Sequence, residues 1–254
     1  MTGPSKVVIN ADDFGISTQV SAEIARCFRA GVVSSTTVMA NMPGFDDAIA
    51  LARSEGFADR IGVHLNLTCG QPLTEGIRRW TGANGEMTVL EHRLWADRSL
   101  LTAVYQELKA QVERLIHTGI TPTHFDSHQH ILNSFPYTAA ALQVARECNV
   151  SRMRIARNAF YDRSAAKTTF KLAYNAYLGR QGMRRVHWFT DVKPYYSHVQ
   201  AGGRPLKGTT ELMCHPGMRL AHPVSEMTTE TEILLHKDFR ELLSQIQPVP
   251  YTAL

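Results

Sequence analysis

Hydrophobic positions recur with two different periods along the chain, and each period predicts one kind of element. Residues 7–9 are consecutive β-branched side chains, which favour a buried strand, and residues 61–68 alternate with the period of two that is typical of a strand. Between residues 100 and 116 the apolar positions follow helical spacing, and Gly119 then ends the predicted helix. Strands that alternate with helices over residues 1–254, without a repeat or a linker, predict a single α/β domain with mostly parallel strands.

Weaker patterns predict the remaining elements. The predicted strand-like segments cover residues 32–39, 153–155, 186–189 and 210–217, and the predicted helices cover residues 17–31, 45–53, 137–148, 159–182 and 225–245. Residues 69–95 contain several glycines and predict a long loop, of the kind that often forms a lid or a wall of a binding site.

Polar side chains that can bind a metal ion stand at the ends of the predicted strands. The carboxyl ends of parallel strands meet at one edge of a sheet or one mouth of a barrel, so these side chains are expected to converge. The candidates are Asp12, Asp13, His64, Asp126, His128, His130 and His215. Residues two apart in an extended chain lie about 6.6–7 Å apart on one face, so Asp126, His128 and His130 are expected to face one cleft.

One aspartate and two histidines are the expected ligands of a catalytic divalent ion, because neutral imidazole and carboxylate are its usual donors. Such an ion lowers the pKa of its water from 15.7 towards about 7 and polarises a carbonyl, which is what amide hydrolysis requires. The second aspartate is then free to act as a general base. Each histidine alone has a plainer interpretation as a residue packed in a sheet or capping a helix; their combination favours the metal site.

Composition limits the other functions. The chain is 44% hydrophobic and 20% charged with a net charge of +4, and it has no dense basic run, so nucleic acid is not an expected partner. The apolar runs fall short of the roughly 20 residues that cross a bilayer, so no membrane partner is expected either. Four cysteines without CxxC spacing indicate buried free thiols in a reducing compartment, and we expect a cytoplasmic protein. Formation of a homo-oligomer is left open.

Four blocks of the sequence together resemble the YdjC-like family, which includes the chitooligosaccharide deacetylases and is related to the polysaccharide deacetylases. The blocks are residues 10–15 (NADDFG), 62–68 (GVHLNLT), 123–130 (THFDSHQH) and 213–217 (MCHPG). The resemblance implies a single-domain deformed (β/α) barrel and hydrolysis of an N-acetyl group from a small carbohydrate substrate. It also implies a divalent metal cofactor, which the mixed ligands leave open among Mg, Zn, Mn, Co and Ni.

The resemblance also implies a role for each matching residue. Asp13, His64 and His128 would be the metal ligands, and Asp12 would be the base that takes a proton from the attacking water. His215 would protonate the leaving amine or stabilise the oxyanion.

Three further residues have less definite roles. Asp126 would orient a ligand histidine through its second ring nitrogen. His130 would replace His128 as a ligand, support the site or touch the sugar, and Arg154 would bind substrate or position Asp12.

Three other classes of function remain open on the sequence alone. The His128-Gln129-His130 pair also suits another metal-dependent amidohydrolase or a phosphoesterase, although such pairs usually open the first barrel strand. The acidic pair after the first strand also suits a phosphoacceptor receiver domain, but that fold needs only about half this length. A sugar-binding protein without catalysis is a third alternative.

Overall fold

A computed structural model describes residues 5–87, 96–161, 164–224 and 226–254. The strands are β1 (Lys6–Phe14), β2 (Ser35–Val38), β3 (Ile61–Leu65), β4 (Phe125–Ser127), β5 (Trp188–Asp191), β6 (Thr210–Cys214), β7 (Arg219–Val224), β8 (Met227–Thr229) and β9 (Gln247–Pro248). The helices are α1 (Thr18–Arg29), α2 (Phe45–Ser54), α3 (Arg98–His117), α4 (Phe135–Glu147), α5 (Ala165–Arg180), α6 (Val192–Gln200), α7 (Glu230–Leu235) and α8 (Lys237–Gln245).

The main sheet is parallel and has β1 near its centre. Its strands follow the order β4-β3-β2-β1-β6-β5, and β9 adds a short parallel pairing to the start of β1. Because all of these strands run in one direction, their carboxyl ends lie at one end of the sheet. The predicted mostly parallel α/β architecture is confirmed.

The segment 152–159 connects the two outer strands of this sheet. The amide of Arg154 donates to the carbonyl of Phe125 in β4 at 2.9 Å, and the amide of Asn158 donates to the carbonyl of Phe189 in β5 at 3.2 Å. The curved sheet is thereby closed into a deformed barrel, as the family resemblance implies. The predicted strand 153–155 contributes only isolated bridges here, so the barrel wall is irregular at this point.

The helices cover the outside of the sheet through apolar stripes. In α3, Leu100, Val104, Leu108, Val112 and Leu115 are at most 1% exposed, which matches the helical spacing in the sequence. The side chain of Asp97 caps this helix by accepting from the amide of Leu100 at 2.8 Å. Within the described residues, no helix is both long and apolar enough to span a bilayer.

The prediction of one helix over residues 225–245 is wrong. The structure has instead the antiparallel hairpin β7–β8 followed by two short helices, α7 and α8. Thr229 and Glu232 form a capping box that starts α7, and His236 has extended backbone angles (φ −64°, ψ 144°) that separate the two helices. Residue 225 itself lies outside the described residues.

Two other segments differ from their predictions in extent. The helix predicted over 159–182 begins only at Ala165, after the cap residue Ser164. The predicted loop 69–95 contains a short 3-10 helix at Glu75–Trp80, and its residues 88–95 lie outside the described part of the chain.

Candidate active site

Both acidic residues at the end of β1 reach the same cavity because the strand is irregular there. Neighbouring side chains of a regular strand point to opposite faces. Asp13 has a φ of 66°, in the left-handed region, and the pairing with β2 shifts register between Ala11 and Phe14. Asp12 and Asp13 therefore both line a cavity of about 300 Å³ at the carboxyl end of the barrel.

Asp13 lies between two histidines from neighbouring strands. Its Oδ1 atom is 3.1 Å from Nε2 of His64, which is on β3, and 2.8 Å from Nδ1 of His128, which follows β4. These three donor atoms all lie within 4.8 Å of one another, and Asp13 and His64 are each only 2% exposed. The structure thus brings together the three residues that the resemblance implies as metal ligands.

Asp126 lies behind His64. Its Oδ1 atom accepts from Nδ1 of His64 at 2.7 Å, and its Oδ2 atom accepts from the hydroxyl of Thr37 at 2.9 Å. A carboxylate that accepts from Nδ1 keeps a proton on that nitrogen, so Nε2, which faces Asp13, would be the atom that binds a metal ion once its own proton is lost. Asp126 therefore orients His64. It does not line the cavity that His128 and His130 line, so the expectation that all three face one cleft is wrong for Asp126.

The electrostatics of this cluster favour positive charge between the carboxylates. Burial alone would lower the pKa of His64, but Asp126 and Asp13 raise it well above the usual range. Burial also opposes protonation of His128, yet the hydrogen bond to Asp13 raises its pKa to about 9. For Asp13, burial would raise the pKa, and its two histidine partners lower it far below the ordinary value.

The donor set fits a divalent ion. One carboxylate and two imidazoles are ligands that divalent ions commonly take in catalytic sites. The donor atoms of Asp13, His64 and His128 all lie within 4.8 Å of one another, so one ion could be held by all three.

Asp12 is held in place by Arg154. The guanidinium donates from Nη1 to Oδ2 at 2.6 Å and from Nη2 to Oδ1 at 2.7 Å, and Asn10 donates a further bond to Oδ1 at 2.9 Å. Burial would raise the pKa of Asp12, but Arg154 lowers it below the ordinary range, so the group is a carboxylate. A carboxylate offers about four acceptor positions, which leaves one for a further donor.

Arg154 is 5% exposed and faces other acids as well, so it lies beneath the site and away from solvent. Its Nη1 atom is 2.8 Å from Oδ2 of Asp126, and its Nε atom donates to Oε1 of Glu211 at 2.6 Å. Burial raises the pKa of Glu211 to about 7, while Arg154 opposes that shift. Of the two roles considered for Arg154, the geometry supports positioning of Asp12.

His215 follows β6 and lines the opposite side of the cavity. Its Nδ1 atom is 3.7 Å from Oε2 of Glu230, whose carboxylate also accepts the backbone amide of His215 at 2.5 Å. Burial would lower the pKa of His215, but Glu230 and Asp12 raise it to about 9. The side chain is therefore an imidazolium at neutral pH and can give up a proton or stabilise negative charge.

His130 lines the cavity but turns away from the donor cluster. Strand β4 ends at Ser127, and the following turn has positive φ angles at Gln129 (50°) and His130 (54°), so the alternation assumed from the sequence does not continue. The ring of His130 packs edge-on against Phe189 at 5.9 Å, and its Nε2 atom is 3.4 Å from Nη2 of Arg157. Burial and the neighbouring arginines lower its pKa to about 3.

The sequence is similar to one family of proteins and to several of its members. The profile of the family described as YdjC-like protein matches residues 6–245. The chain is 43% identical to Carbohydrate deacetylase 1 of Listeria innocua serovar 6a over 130 residues, which are 50% of this chain and 52% of that protein. The match therefore spans about half the length of that relative. A Carbohydrate deacetylase of Halalkalibacterium halodurans is 28% identical over 213 residues, covering 83% of this chain and 84% of that protein.

A solved structure supports the same fold over the full length. The crystal structure of a protein of Enterococcus faecalis V583, provisionally named a cellobiose-phosphate cleavage protein, has a TM-score of 0.74 and 24% identity, and 99% of each chain is covered. At this identity the likeness establishes the fold alone. Since the family profile covers most of the sequence, the chain belongs to the YdjC-like family.

Proposed function

We propose that the protein is a metal-dependent carbohydrate deacetylase that hydrolyses an N-acetyl group of an amino sugar or a short chitooligosaccharide-like substrate. The observation that carries this proposal is the convergence of Asp13, His64 and His128 beside a second carboxylate, Asp12, in one cavity. The names of the Listeria and Halalkalibacterium relatives support the carbohydrate substrate and the deacetylase reaction. The cavity of about 300 Å³ is at the lower end of the usual range for ligand sites, which suits one amino-sugar unit.

Asp13, His64 and His128 would hold the ion, with Asp126 fixing the ring of His64. When bound there, a divalent ion polarises the acetamido carbonyl and makes water more acidic. The mixed oxygen and nitrogen donors suit Mg or Zn, and also Mn, Co or Ni.

Asp12 would accept the proton of the attacking water. Arg154 and Asn10 occupy three of its acceptor positions and fix the plane of the carboxylate, which leaves a defined position for the water proton. A base positioned in this way contributes typically 10²–10⁴ in rate. Because Arg154 lowers the pKa of Asp12, the base is ready in its ionised form at neutral pH.

His215 would complete the reaction from the other side of the cavity. As an imidazolium it stabilises the negative charge that develops on the carbonyl oxygen, and it then donates its proton to the departing sugar nitrogen. Glu230 keeps the ring oriented and favours the protonated form.

The test is acetate release from a panel of N-acetylated amino sugars and short chitooligosaccharides, measured with and without a chelator. We expect acetate release that is lost with the chelator and restored by added metal. Asp12→Asn should abolish turnover while metal stays bound, whereas Asp13→Asn and His64→Ala should lose the metal itself.

Asp59→Asn is the matched control, since the Asp59 side chain is 82% exposed and should affect neither property. Phosphate release from phosphorylated sugars, without acetate release, would favour the phosphoesterase alternative. Full activity in Asp12→Asn would contradict the proposed mechanism.

A further inference from the structure

The segment 247–254 forms part of the floor of the barrel, opposite the cavity. It pairs with β1 through the amide of Val249, which donates to the carbonyl of Val7 at 2.9 Å. The amide of Tyr251 then donates to the hydroxyl of Ser35 at 2.9 Å. The Tyr251 side chain is completely buried and stacks on the ring of His124, with 3.6 Å between ring centroids.

The hydroxyl of Tyr251 begins a chain of hydrogen bonds that runs up the barrel interior. It donates to Oε2 of Glu211 at 2.5 Å, and Oε1 of the same carboxylate accepts from Nε of Arg154 at 2.6 Å. Glu211 and Tyr251 are both 0% exposed, so bulk water does not compete for the hydrogen bond between them. The two Nη atoms of Arg154 then donate to the two oxygens of Asp12.

This arrangement controls the orientation of the guanidinium. The group is planar, so a bond that fixes the Nε–H direction also fixes the directions of the Nη–H bonds. Glu211 provides that bond, and Tyr251 in turn holds the other Glu211 oxygen. The plane in which Arg154 meets Asp12 is therefore set from the floor of the barrel.

Packing alone does not account for the tyrosine. Phenylalanine would provide the same ring for stacking on His124, and it would not require a buried acceptor for a hydroxyl. Tyrosine differs from phenylalanine only in its hydroxyl, and at Tyr251 this hydroxyl donates a hydrogen bond to Glu211. Tyr251 also lies outside residues 6–245, the part of the chain that the family profile matches.

We propose that Tyr251 is a positioning residue: through Glu211 it fixes the guanidinium of Arg154 and thereby the orientation of Asp12. This inference rests on the proposed function, in which Asp12 is the base. It assigns a role in the reaction to the floor of the barrel, which is on the far side from the substrate.

The first test is Tyr251→Phe, measured by acetate release together with metal content. Removing one hydrogen bond to a charged group should lower kcat about tenfold, with KM changed by less than about twofold, because the loss affects the base and not substrate binding. Metal content should stay at the wild-type level. Ser35→Ala is the matched control: it removes the hydrogen bond to the backbone amide of Tyr251 and leaves the hydroxyl in place, so it should lower thermal stability and leave kcat unchanged.

A double-mutant cycle separates positioning from a general loss of stability. If Tyr251 acts through Arg154, Tyr251→Phe should have no further effect on kcat once Arg154→Lys is present. Multiplicative losses in the double variant would overturn the proposal, and so would wild-type kcat in Tyr251→Phe.

The positioning of Arg154 can also be measured without any assay of activity. Hydrogen exchange of the Arg154 Nε–H can be followed by NMR on protein with ¹⁵N-labelled arginine, with the signal assigned from Arg154→Lys. Tyr251→Phe should accelerate this exchange about tenfold or more relative to wild type and to Ser35→Ala. Equal exchange in all three proteins would refute the positioning role, whereas absence of acetate release from wild type would refute only the proposed reaction.

Discussion

Replacing Asp126 with asparagine should weaken metal binding although Asp126 lies outside the proposed ligand set. Asp126 is buried, and a neutral amide cannot reproduce its contacts to His64 and Arg154 together. It accepts from His64 at 2.7 Å, from Thr37 at 2.9 Å and from Arg154 at 2.8 Å. The contacts to His64 and Arg154 require oxygen atoms on both sides of the carboxyl group.

Either orientation of the new amide is unfavourable. If its oxygen faces His64, its NH2 group faces the guanidinium of Arg154, so buried donors meet without an acceptor at a cost of about 1–3 kcal/mol. If its NH2 group faces His64 instead, Nδ1 must accept, and the ring proton moves to Nε2. That tautomer cannot donate a lone pair to a metal at the position beside Asp13.

We therefore expect metal affinity to fall about 10- to 100-fold, which corresponds to about 1.4–2.8 kcal/mol. Calorimetric titration of the metal-free protein with Zn²⁺ measures the affinity directly, and circular dichroism checks that the variant is folded. Asp46→Asn is the matched control, because Asp46 is 80% exposed and pairs with Arg114 at the surface. Equal affinities for wild type and Asp126→Asn would refute the argument that His64 must be oriented from behind.

Two further predictions concern pH and local stability. His215 must be protonated to act as an acid, and its pKa is raised to about 9 in the metal-free protein, so kcat/KM of the metal-bound enzyme should fall as the pH rises towards that value. A divalent ion at Asp13 would move that limb to lower pH by repulsion, and His215→Gln should remove it from the pH profile. Thr229→Ala should remove the capping box of α7 and reduce the free energy of unfolding by about 1 kcal/mol in urea denaturation, whereas Thr228→Ala should have a smaller effect.

The sequence was sufficient for elements whose pattern is local and strong. The apolar stripe of α3 and the β-branched start of β1 both fold as their periods predict. The break at His236 was missed, because the apolar positions on both sides keep helical spacing while the backbone at that residue is extended. The capping pair Thr229 and Glu232 was the available signal that a helix starts there.

The site residues at strand ends could likewise be predicted from the sequence, but the residues that support them could not. Glu211 reads as an ordinary position in an apolar strand, and its role depends on Arg154, 57 residues earlier in the chain. A charged side chain within an otherwise apolar strand was the one local signal. The left-handed backbone at Asp13 could not be read from composition either, although aspartate tolerates that conformation better than most residues.

The charge balance of the interior gives a physical reason for these partners to occur together. Three buried carboxylates, from Asp12, Asp126 and Glu211, contact the guanidinium of Arg154, and a fourth, from Asp13, lies between two histidines. Buried charges are stable only when they are paired, so the arrangement as it stands favours additional positive charge. A divalent ion at Asp13 and a protonated His215 would each supply such positive charge. Without the ion, protons on the histidines beside Asp13 serve the same purpose, which is the direction in which their pKa values are shifted. Metal binding at this site should therefore release protons, because the ion and the imidazole protons compete for the same carboxylate.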